Sequence, residues 1–314
     1  MKKKLMNTKE KAISHSKRVV ITGGTGLIGS HLSRLLAGEG FEVVHLTRKI
    51  REGEKFKSYL WDPQQGYCDP DAFRDGDAII HLAGANIGSK PWSEARKREI
   101  ISSRTETADL VYRSSAGSGV MPSVFITASG ISIYGSQTTE RIYSEDDPAG
   151  SDFLAETSRL WESAADPFAA EGVRVVKIRT AVVLASSGSA LSKMTSPARA
   201  GLIVRLGPGN QYFPWIHIDD LCQIYLKAVS DGTMTGPYNA SAPEHITHDM
   251  LMTEVARQKG LPVFLPHVPA WLLRVILGEM SVVLTSGSRI SSERLRAAGF
   301  SFRYPDLVSA LKAC

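Results

Sequence analysis

The stretch Arg18-Val-Val-Ile-Thr-Gly-Gly-Thr-Gly-Leu-Ile-Gly29 decides the fold. It predicts a buried strand, a glycine-rich turn and the start of a helix. The apolar run at its beginning is short and β-branched, which is typical of a parallel strand covered on both faces. Apolar residues then recur with helical spacing from Leu27 to Leu36, and Gly38 and Gly40 end the pattern. A second strand is predicted at Glu42–Leu46, so the stretch predicts a β-α-β unit.

Three glycines of this turn have separate predicted roles. Gly23 permits the tight turn, Gly26 lets the backbone approach a pyrophosphate, and Gly29 lets the helix pack closely on the strand. Amide N–H groups at the helix N-terminus would face the phosphates, where the helix dipole favours negative charge. The turn therefore predicts dinucleotide binding, and the alternative is a purely structural glycine turn.

Length and charge narrow the class of protein. The 314 residues, 43% of them hydrophobic, suffice for one large domain or two intimate ones. No apolar run approaches the ~20 residues of a membrane span. Residues 1–18 carry seven Lys/Arg and one Glu, so the remainder of the chain is close to neutral despite a net charge of +5. We therefore expect a disordered basic tail over residues 1–17, and neither a nucleic-acid nor a membrane partner.

The spacing of the cysteines argues against a metal site. Cys68, Cys222 and Cys314 lie far apart, and no CxxC motif is present. This usage predicts no metal site and favours a reducing compartment, so we expect a cytoplasmic protein.

Strands and helices alternate through the first 180 residues. Further strands are predicted at 56–61, 78–82, 124–128 and 173–178, with helices at 91–113 and 152–170. This alternation predicts an α/β fold, a Rossmann doubly wound parallel sheet, built by residues 18–180 with contributions from 210–240. Residues 181–314 otherwise form a smaller C-terminal lobe that we expect to bind substrate.

Residues at the predicted strand ends suggest how a cofactor would be held. Arg48 lies nineteen positions beyond Gly29, where an arginine suits a 2′-phosphate, so NADP is favoured over NAD; the alternative is a solvated strand end. Asp62 either hydrogen-bonds the adenine amino group or begins the turn with Pro63. The small residues of Leu82-Ala83-Gly84 would let backbone lie close to the nicotinamide side.

Hydroxyl groups follow the predicted strand at 124–128. Such groups at the carboxyl edge point into the crevice where open α/β sheets bind ligands. Ser129 is the first choice to polarise a substrate carbonyl, with Ser132 beside it, although Ser129 could instead satisfy backbone at the strand end. Tyr134 is either a proton donor or packed beneath the cofactor loop.

Several strings together resemble a known group of proteins. They are Thr22–Gly29, His81–Gly84, Ser103-Arg104, Tyr134-Gly135, Arg179-Thr180, Trp215–Asp220, Gly236–Glu244 and Ala298–Phe300. In this order they resemble the extended short-chain dehydrogenase/reductase superfamily. They are most similar to its epimerase-like branch with a C-terminal domain of unknown function, over residues 18 to 312.

The resemblance implies a Rossmann fold, NADP(H) binding and a substrate pocket closed by the C-terminal part. Many relatives pair through the helices at 91–113 and 152–170, so the resemblance also implies a homodimer by analogy. The residues and the resemblance together predict cofactor contacts at Gly23, Thr25, Gly26, Leu27, Ile28, Gly29, Arg48, Asp62, Leu82, Ala83, Gly84, Ser103 and Arg179. The predicted catalytic groups are Ser129, Ser132 and Tyr134.

One departure from the superfamily bears on chemistry. Its Tyr-x-x-x-Lys pair, in which Lys lowers the Tyr pKa for proton exchange, is missing: none of the nine tyrosines has Lys four residues later, and no Lys lies between Lys97 and Lys177. The leading hypothesis is an NADP(H)-dependent oxidoreductase or epimerase that transfers hydride on a small carbonyl or carbinol substrate, sugars among the candidates. The alternative is a non-catalytic NADP(H)-binding redox sensor or scaffold.

Overall fold

A computed structural model describes residues 17–195, 203–262 and 267–314, so the predicted basic tail lies outside the described residues apart from Lys17. The central sheet has eight strands in the order β12-β8-β6-β5-β1-β2-β3-β4. All neighbours in it are parallel except β3 and the short β4. The strands of this sheet are β1 (Arg18–Thr22), β2 (Glu42–Thr47), β3 (Lys57–Asp62), β4 (Tyr67–Cys68), β5 (Gly76–His81), β6 (Val124–Gly130), β8 (Arg174–Thr180) and β12 (Gly236–Ala240).

Six shorter strands form three parallel two-stranded pairs outside the central sheet. The pairs are β7 (Ile142–Tyr143) with β14 (Arg289–Ile290), β9 (Val182–Leu184) with β11 (Trp215–His217), and β10 (Arg205–Leu206) with β13 (His267–Val268). The pair β7 and β14 ties the C-terminal part of the chain to the segment that follows β6.

Helices cover both faces of the sheet. They are α1 (Leu27–Gly38), α2 (Glu94–Gly117), α3 (Phe153–Ser163), α4 (Asp166–Ala170), α5 (Ala190–Met194), α6 (Ile218–Ser230), α7 (His248–Gln258), α8 (Ala270–Leu277), α9 (Val282–Thr285), α10 (Glu293–Ala297) and α11 (Leu307–Ala313). Within the described ranges, none of them combines the length and apolar character needed to cross a membrane.

The core lies in two layers because side chains alternate along each strand. In β1, Val19 and Ile21 pack with α1 and α6 on one face, whereas Val20 packs with α2 and α4 on the other. A separate cluster formed by α5, α7 and α11 builds the C-terminal lobe around Trp215. These layers confirm the predicted α/β class and the parallel sheet.

The predicted helix over 152–170 is wrong in one respect, because it is two helices. α3 ends at Ser163 and α4 begins at Asp166, with Pro167 in its first turn. Proline has no N–H to donate to the preceding turn, so it starts a helix more readily than it continues one. The short strands carry too few residues for a periodic signal, and the sequence analysis missed β4, β7, β9, β10, β11, β13 and β14.

The order of the strands places a crevice at the centre of the sheet. The chain runs outward from β1 through β2 and β3, then returns to β5 on the other side of β1. Ligands bind at the carboxyl ends of the strands at such a reversal. Thr22, His81 and the glycine-rich turn all lie at this point.

Candidate functional site

The glycine cradle, residues Thr22–Gly29, is joined to the end of β5. The Thr22 Oγ1 accepts hydrogen bonds from the amides of Leu82 and Ala83, both at 3.1 Å. Gly23 has φ +70°, and a Cβ there would lie 3.1 Å from the Ala83 nitrogen. The structure therefore brings the predicted cradle and the predicted nicotinamide-side segment, Leu82–Gly84, against each other.

Two more glycines are fixed by what lies next to them. A Cβ on Gly29 would stand 2.3 Å from the Gly23 carbonyl oxygen, so the helix start packs directly on the turn. A Cβ on Gly24 would stand 2.4 Å from Cδ2 of His45, whose ring lies beneath the turn. The sequence analysis missed Gly24 and His45. The sequence signal that could have found this contact is Gly24 itself, a glycine of the run to which no role was assigned.

His45 is itself held in place. Its Nε2 lies 2.8 Å from Oγ of Ser33, and its ring packs 5.2 Å from that of Phe56. Burial lowers the pKa of His45, so the ring under the cradle is neutral near pH 7.

The first turn of α1 is open to an anion. Gly26 is its N-cap, makes no side-chain cap, and no acidic residue lies in the first turn. Amides at the start of a helix have no acceptor within the helix, which leaves the N–H groups of Leu27, Ile28 and Gly29 available. Thr25 and Gly26 are exposed. These groups form an N-terminal anion site of the kind that holds a pyrophosphate.

The ends of β2 and β3 carry the two residues predicted to contact the adenosine end. Arg48 is exposed and forms no ion pair with any residue in the described part of the chain. Asp62 accepts hydrogen bonds from the amides of Gln64 at 3.0 Å and Gln65 at 3.4 Å. The turn-forming role of Asp62 is therefore present, while its contact with adenine and that of Arg48 with a phosphate stay predictions.

Ser103 and Arg104 on α2 fix the segment after β5. Ser103 Oγ accepts from the Ala85 amide at 2.9 Å, and an Arg104 Nη donates to the Ala85 carbonyl at 3.1 Å. Arg104 is only 5% exposed, and its guanidinium lies over the Trp161 ring. Burial lowers the pKa of Arg104 to about 10, and Arg104 has no carboxylate at ion-pair distance among the residues described. The sequence analysis did not assign this arginine.

Ser129 lies in a buried polar cluster. Adjacent positions on three strands bring Ser129, Arg179 and Asn239 side by side. Ser129 Oγ donates to Oε1 of Glu162 at 2.9 Å, and Arg179 donates to both oxygens of that carboxylate, at 2.8 and 3.0 Å. Three hydrogen bonds thus hold the Glu162 carboxylate within the cluster.

Tyr134 and Glu145 complete this cluster, which we call the Arg179 cluster: Ser129, Tyr134, Glu145, Glu162, Arg179 and Asn239. The Tyr134 hydroxyl donates to Asn239 at 2.7 Å and accepts from Arg179 at 2.9 Å. Burial raises the pKa of Tyr134 to about 12, which favours packing over proton exchange near neutral pH. Arg179 lies three strands from β1, and its side-chain hydrogen bonds all go to this cluster; the cofactor contact predicted for it stays a prediction.

Ser132 differs from Ser129 in exposure and in partner. It is half-buried, whereas Ser129 is 3% exposed. Its Oγ lies 2.9 Å from Oγ of Ser158 on α3, and either hydroxyl can donate. A Cβ on Gly130 would stand 2.9 Å from the Ser132 Oγ, so glycine at the strand end leaves this hydroxyl free to face Ser158.

A cavity of about 620 Å³ opens beyond this strand end. The first turn of α3 forms one wall and the segment from α8 to α9 forms the other. The lining residues are Trp92, Ser136, Asp152, Phe153, Leu154, Ala270, Trp271, Arg274, Glu279, Ser281, Val282 and Thr285. The cavity therefore lies between the sheet domain and the C-terminal part, where the resemblance places a substrate pocket.

The parallel sheet, the glycine cradle at its reversal point and the hydroxyls after β6 define a Rossmann-fold protein of the extended short-chain dehydrogenase/reductase type. The chain belongs to the NAD-dependent epimerase/dehydratase family, whose model matches residues 19–241. A domain of unknown function, DUF1731, matches residues 268–314. Both matches confirm the resemblance found in the sequence.

Curated relatives and solved structures agree with this assignment. The chain is 34% identical over 299 residues to the epimerase family protein SDR39U1 of Mus musculus, covering 94% of this chain and 98% of the relative. It is 35% identical over 295 residues to YfhF of Bacillus subtilis, covering 93% and 96%. The crystal structure of human SDR39U1 with NADPH superposes with a TM-score of 0.82 at 30% identity, covering 94% of this chain and 98% of that one.

Proposed function

We propose that this chain is an NADP(H)-dependent oxidoreductase or epimerase that acts on a small carbonyl or carbinol substrate by hydride transfer. The glycine cradle carries the proposal, because Cβ atoms on Gly24 and Gly29 would overlap neighbouring atoms and Gly23 has a positive φ, while the first amides of α1 stay open. The presence of NADPH in the structure of human SDR39U1 supports the choice of cofactor.

The residues at the carboxyl edge fit such a cofactor. The open amides of Leu27, Ile28 and Gly29 suit a pyrophosphate, and the exposed guanidinium of Arg48 suits a 2′-phosphate. When bound, NADP(H) supplies or accepts a hydride at its nicotinamide ring. The backbone after β5, fixed by Thr22, Ser103 and Arg104, would line the cofactor without side chains in the way.

The Ser132–Ser158 pair is the best-placed group to handle the substrate oxygen. A carbonyl oxygen becomes a carbinol oxygen by gaining one proton while its carbon gains the hydride. Ser132 can donate a hydrogen bond to this oxygen, and Ser158 holds the Ser132 hydroxyl in place because the two are in contact. The proton that the oxygen gains through Ser132 would be replaced on Ser132 from solvent water, so neither serine is left as an alkoxide. Ser129 is less suited to this step, since its proton is already donated to Glu162.

Two measurements test the proposal. NADPH fluorescence titration should show saturable binding, and a dissociation constant above about one millimolar would remove the cofactor assignment. For a substrate found in a panel of carbonyl and carbinol compounds, Ser132→Ala should lower kcat by about a hundredfold or more, the scale of acid–base catalysis. The NADPH affinity of Ser132→Ala should equal that of the wild type.

The Arg179 cluster supports one other function. Its buried polar side chains satisfy one another, and the superfamily's Tyr/Lys pair is absent, as a non-catalytic redox sensor or scaffold would permit. In that case NADPH would bind and raise the Tm, but no carbonyl or carbinol compound would be turned over. Turnover that Ser132→Ala abolishes would exclude the sensor.

A further inference from the structure

The cavity beyond β6 has aromatic walls. Trp92 packs edge-on against Phe153, with ring centroids 5.0 Å apart, on the side of α3. Trp271 on α8 lines the opposite side and is 67% exposed. Exposed aromatic faces around a concave site bind rings, either by stacking on a flat ring or by covering the apolar face of a sugar.

Both carboxylates of the lining already have partners. Asp152 accepts from the amides of Ser136 at 2.6 Å and Ala155 at 2.9 Å, which caps α3. Glu279 pairs with Lys97 at 2.6 Å, and Lys97 also contacts Glu94 at 3.2 Å. Both carboxylates therefore have structural partners, and the positive charge of Lys97 is already paired with Glu279 and Glu94.

Arg274 is the exception in this lining. It is exposed on α8, and it makes no side-chain hydrogen bond or ion pair with any residue that the structure describes. A planar guanidinium recognises a carboxylate through two parallel hydrogen bonds. The single unpaired guanidinium of Arg274 can bind one carboxylate in this way. A nucleoside diphosphate would bring at least two negative charges close to Asp152 and Glu279.

We propose that this cavity binds a ring compound bearing a single carboxylate, with the ring against Trp271 and the carboxylate on Arg274. The inference rests on the proposed function in one respect, since the carbonyl or carbinol of this compound would be the group that exchanges hydride. An aryl carboxylate and a uronic acid share this chemistry. A nucleotide sugar does not fit it.

Ligand-observed NMR titration of the full chain separates these ligands, with 4-formylbenzoate, its neutral isostere 4-formylbenzamide, glucuronate and UDP-glucose as probes. We expect at least one of the two carboxylates to bind. The tighter of 4-formylbenzoate and glucuronate shows whether the cavity takes an aryl carboxylate or a uronic acid. If the aryl acid binds, it should exceed its amide by about ten- to a hundredfold, the scale of a charged hydrogen bond. If only glucuronate binds, glucose serves as the neutral partner.

Variants assign the site. Arg274→Gln should abolish the preference for the acid, whereas Arg257→Gln, an exposed arginine on α7, should leave it unchanged. Trp271→Ala should weaken acid and neutral partner alike, and Trp271→Phe should restore most of the binding. Because Trp271 and Arg274 are both exposed, these variants should keep the wild-type Tm.

Three outcomes would overturn the inference: equal affinity for acid and neutral partner, a preference that survives Arg274→Gln, or UDP-glucose as the tightest probe. The titration is run with and without NADPH, so that a failure of the cofactor assignment can be distinguished from a failure of this inference. Loss of NADPH binding with the acid preference intact would refute the cofactor assignment alone. NADPH binding without any acid preference would refute the inference alone.

Discussion

The two halves of the carboxyl edge of the sheet are built in opposite ways. At β1, β2 and β5 the turn lacks side chains, and Gly23, Gly24 and Gly29 let the backbone and the His45 ring pack so closely that a Cβ would crowd or overlap them. At β6, β8 and β12 the chain fills the same edge with the Arg179 cluster, in which polar atoms satisfy one another. The first half, which we call the open half, presents unpaired donors to a ligand. In the second half, which we call the closed half, most polar groups hydrogen-bond to one another.

This difference locates the chemistry. A group that exchanges a proton with substrate must be accessible and able to change partners. The groups of the Arg179 cluster are buried and engaged, while Ser132 just beyond them is half-buried and has the buried Ser158 as its side-chain partner. The comparison therefore supports our proposal that the first half binds the cofactor, that the second half mainly supports the structure, and that substrate contact belongs to the border of the second half.

The largest expected effect concerns the closed half. Glu162 and Arg179 form an ion pair, and both residues are buried. Glu162→Gln removes the negative charge of this pair. An uncompensated buried guanidinium costs about 3–5 kcal/mol in free energy of unfolding. Urea denaturation monitored by tryptophan fluorescence measures the loss.

The chain supplies a matched control on the same helix. Glu156 pairs with Arg159 on the exposed side of α3. Glu156→Gln should cost less than about 1 kcal/mol, as exposed ion pairs do. Equal losses for the two variants would show that the Arg179 cluster is not a buried network in solution.

The next effect concerns the open half and its outer rim. Arg48→Ala should reduce NADPH affinity by about 1.5–3 kcal/mol, the scale of a charged hydrogen bond, because it removes the predicted partner of the 2′-phosphate. NADH affinity should not change, since NADH lacks that phosphate. Fluorescence titration with both nucleotides measures the two values.

Arg257→Ala, which removes an exposed charge on α7, is the control for a general electrostatic effect. It should leave both affinities as they are. If Arg48→Ala weakened NADPH and NADH equally, the assignment of Arg48 to the 2′-phosphate would be wrong.

A smaller effect tests how the cradle is packed. Gly24→Ala places a methyl group 2.4 Å from the His45 ring and should lower stability by about 1–3 kcal/mol through overpacking. In a His45→Ala background the same change should cost little, because the obstructing ring is gone. A double-mutant cycle on the free energy of unfolding gives this coupling.

Gly29→Ala is the comparison for that cycle. Its methyl group would meet the Gly23 carbonyl and the Gly24 backbone, which no side-chain deletion removes. His45→Ala should therefore leave the cost of Gly29→Ala unchanged. Rescue of both glycine variants by His45→Ala would contradict the packing described for the cradle.

The two halves also differ in how far the sequence predicts them. The cradle is contiguous, so glycine spacing and hydrophobic periodicity sufficed to predict its turn, its helix and its place in a parallel sheet. The position of Arg48 follows from the same local counting, since it comes directly after the next strand. Family patterns extended the assignment to the whole fold, although Pro167 divides a helix that periodicity alone joins.

The Arg179 cluster is assembled from residues 129, 134, 145, 162, 179 and 239, which meet only through strand pairing and the packing of α3. No local pattern contains those pairings. The sequence could name Ser129, Tyr134 and Arg179 as polar groups near strand ends. It could not show that they hydrogen-bond to one another, and for the same reason the pairing of Ser132 with Ser158 emerged only from the structure.

The effect that is smallest for a step of one pH unit lies between the halves, at His81 on β5. His81 is fully buried between Thr22 at 2.9 Å and Thr107 at 3.2 Å, and burial lowers its pKa to about 4. The unfolded chain binds a proton at this residue below about pH 6.5, whereas the folded chain does so only near pH 4. The free energy of unfolding should therefore fall as the pH drops from about 6.5 to about 4, by up to about 1.4 kcal/mol per pH unit from this residue.

Urea denaturation at pH 7.0, 6.0 and 5.0 tests this with His81→Gln, which cannot titrate. Comparison of slopes is needed because His45, His217 and His248, whose pKa values are also lowered by burial, contribute in the same direction and remain in both proteins. The variant should be less stable than the wild type at pH 7, where it loses the neutral imidazole's contacts with Thr22 and Thr107, yet its stability should decline less steeply on acidification. Parallel profiles for the two proteins would mean that His81 is protonated in the folded chain, and that water reaches the boundary between the open half of the edge and the closed one.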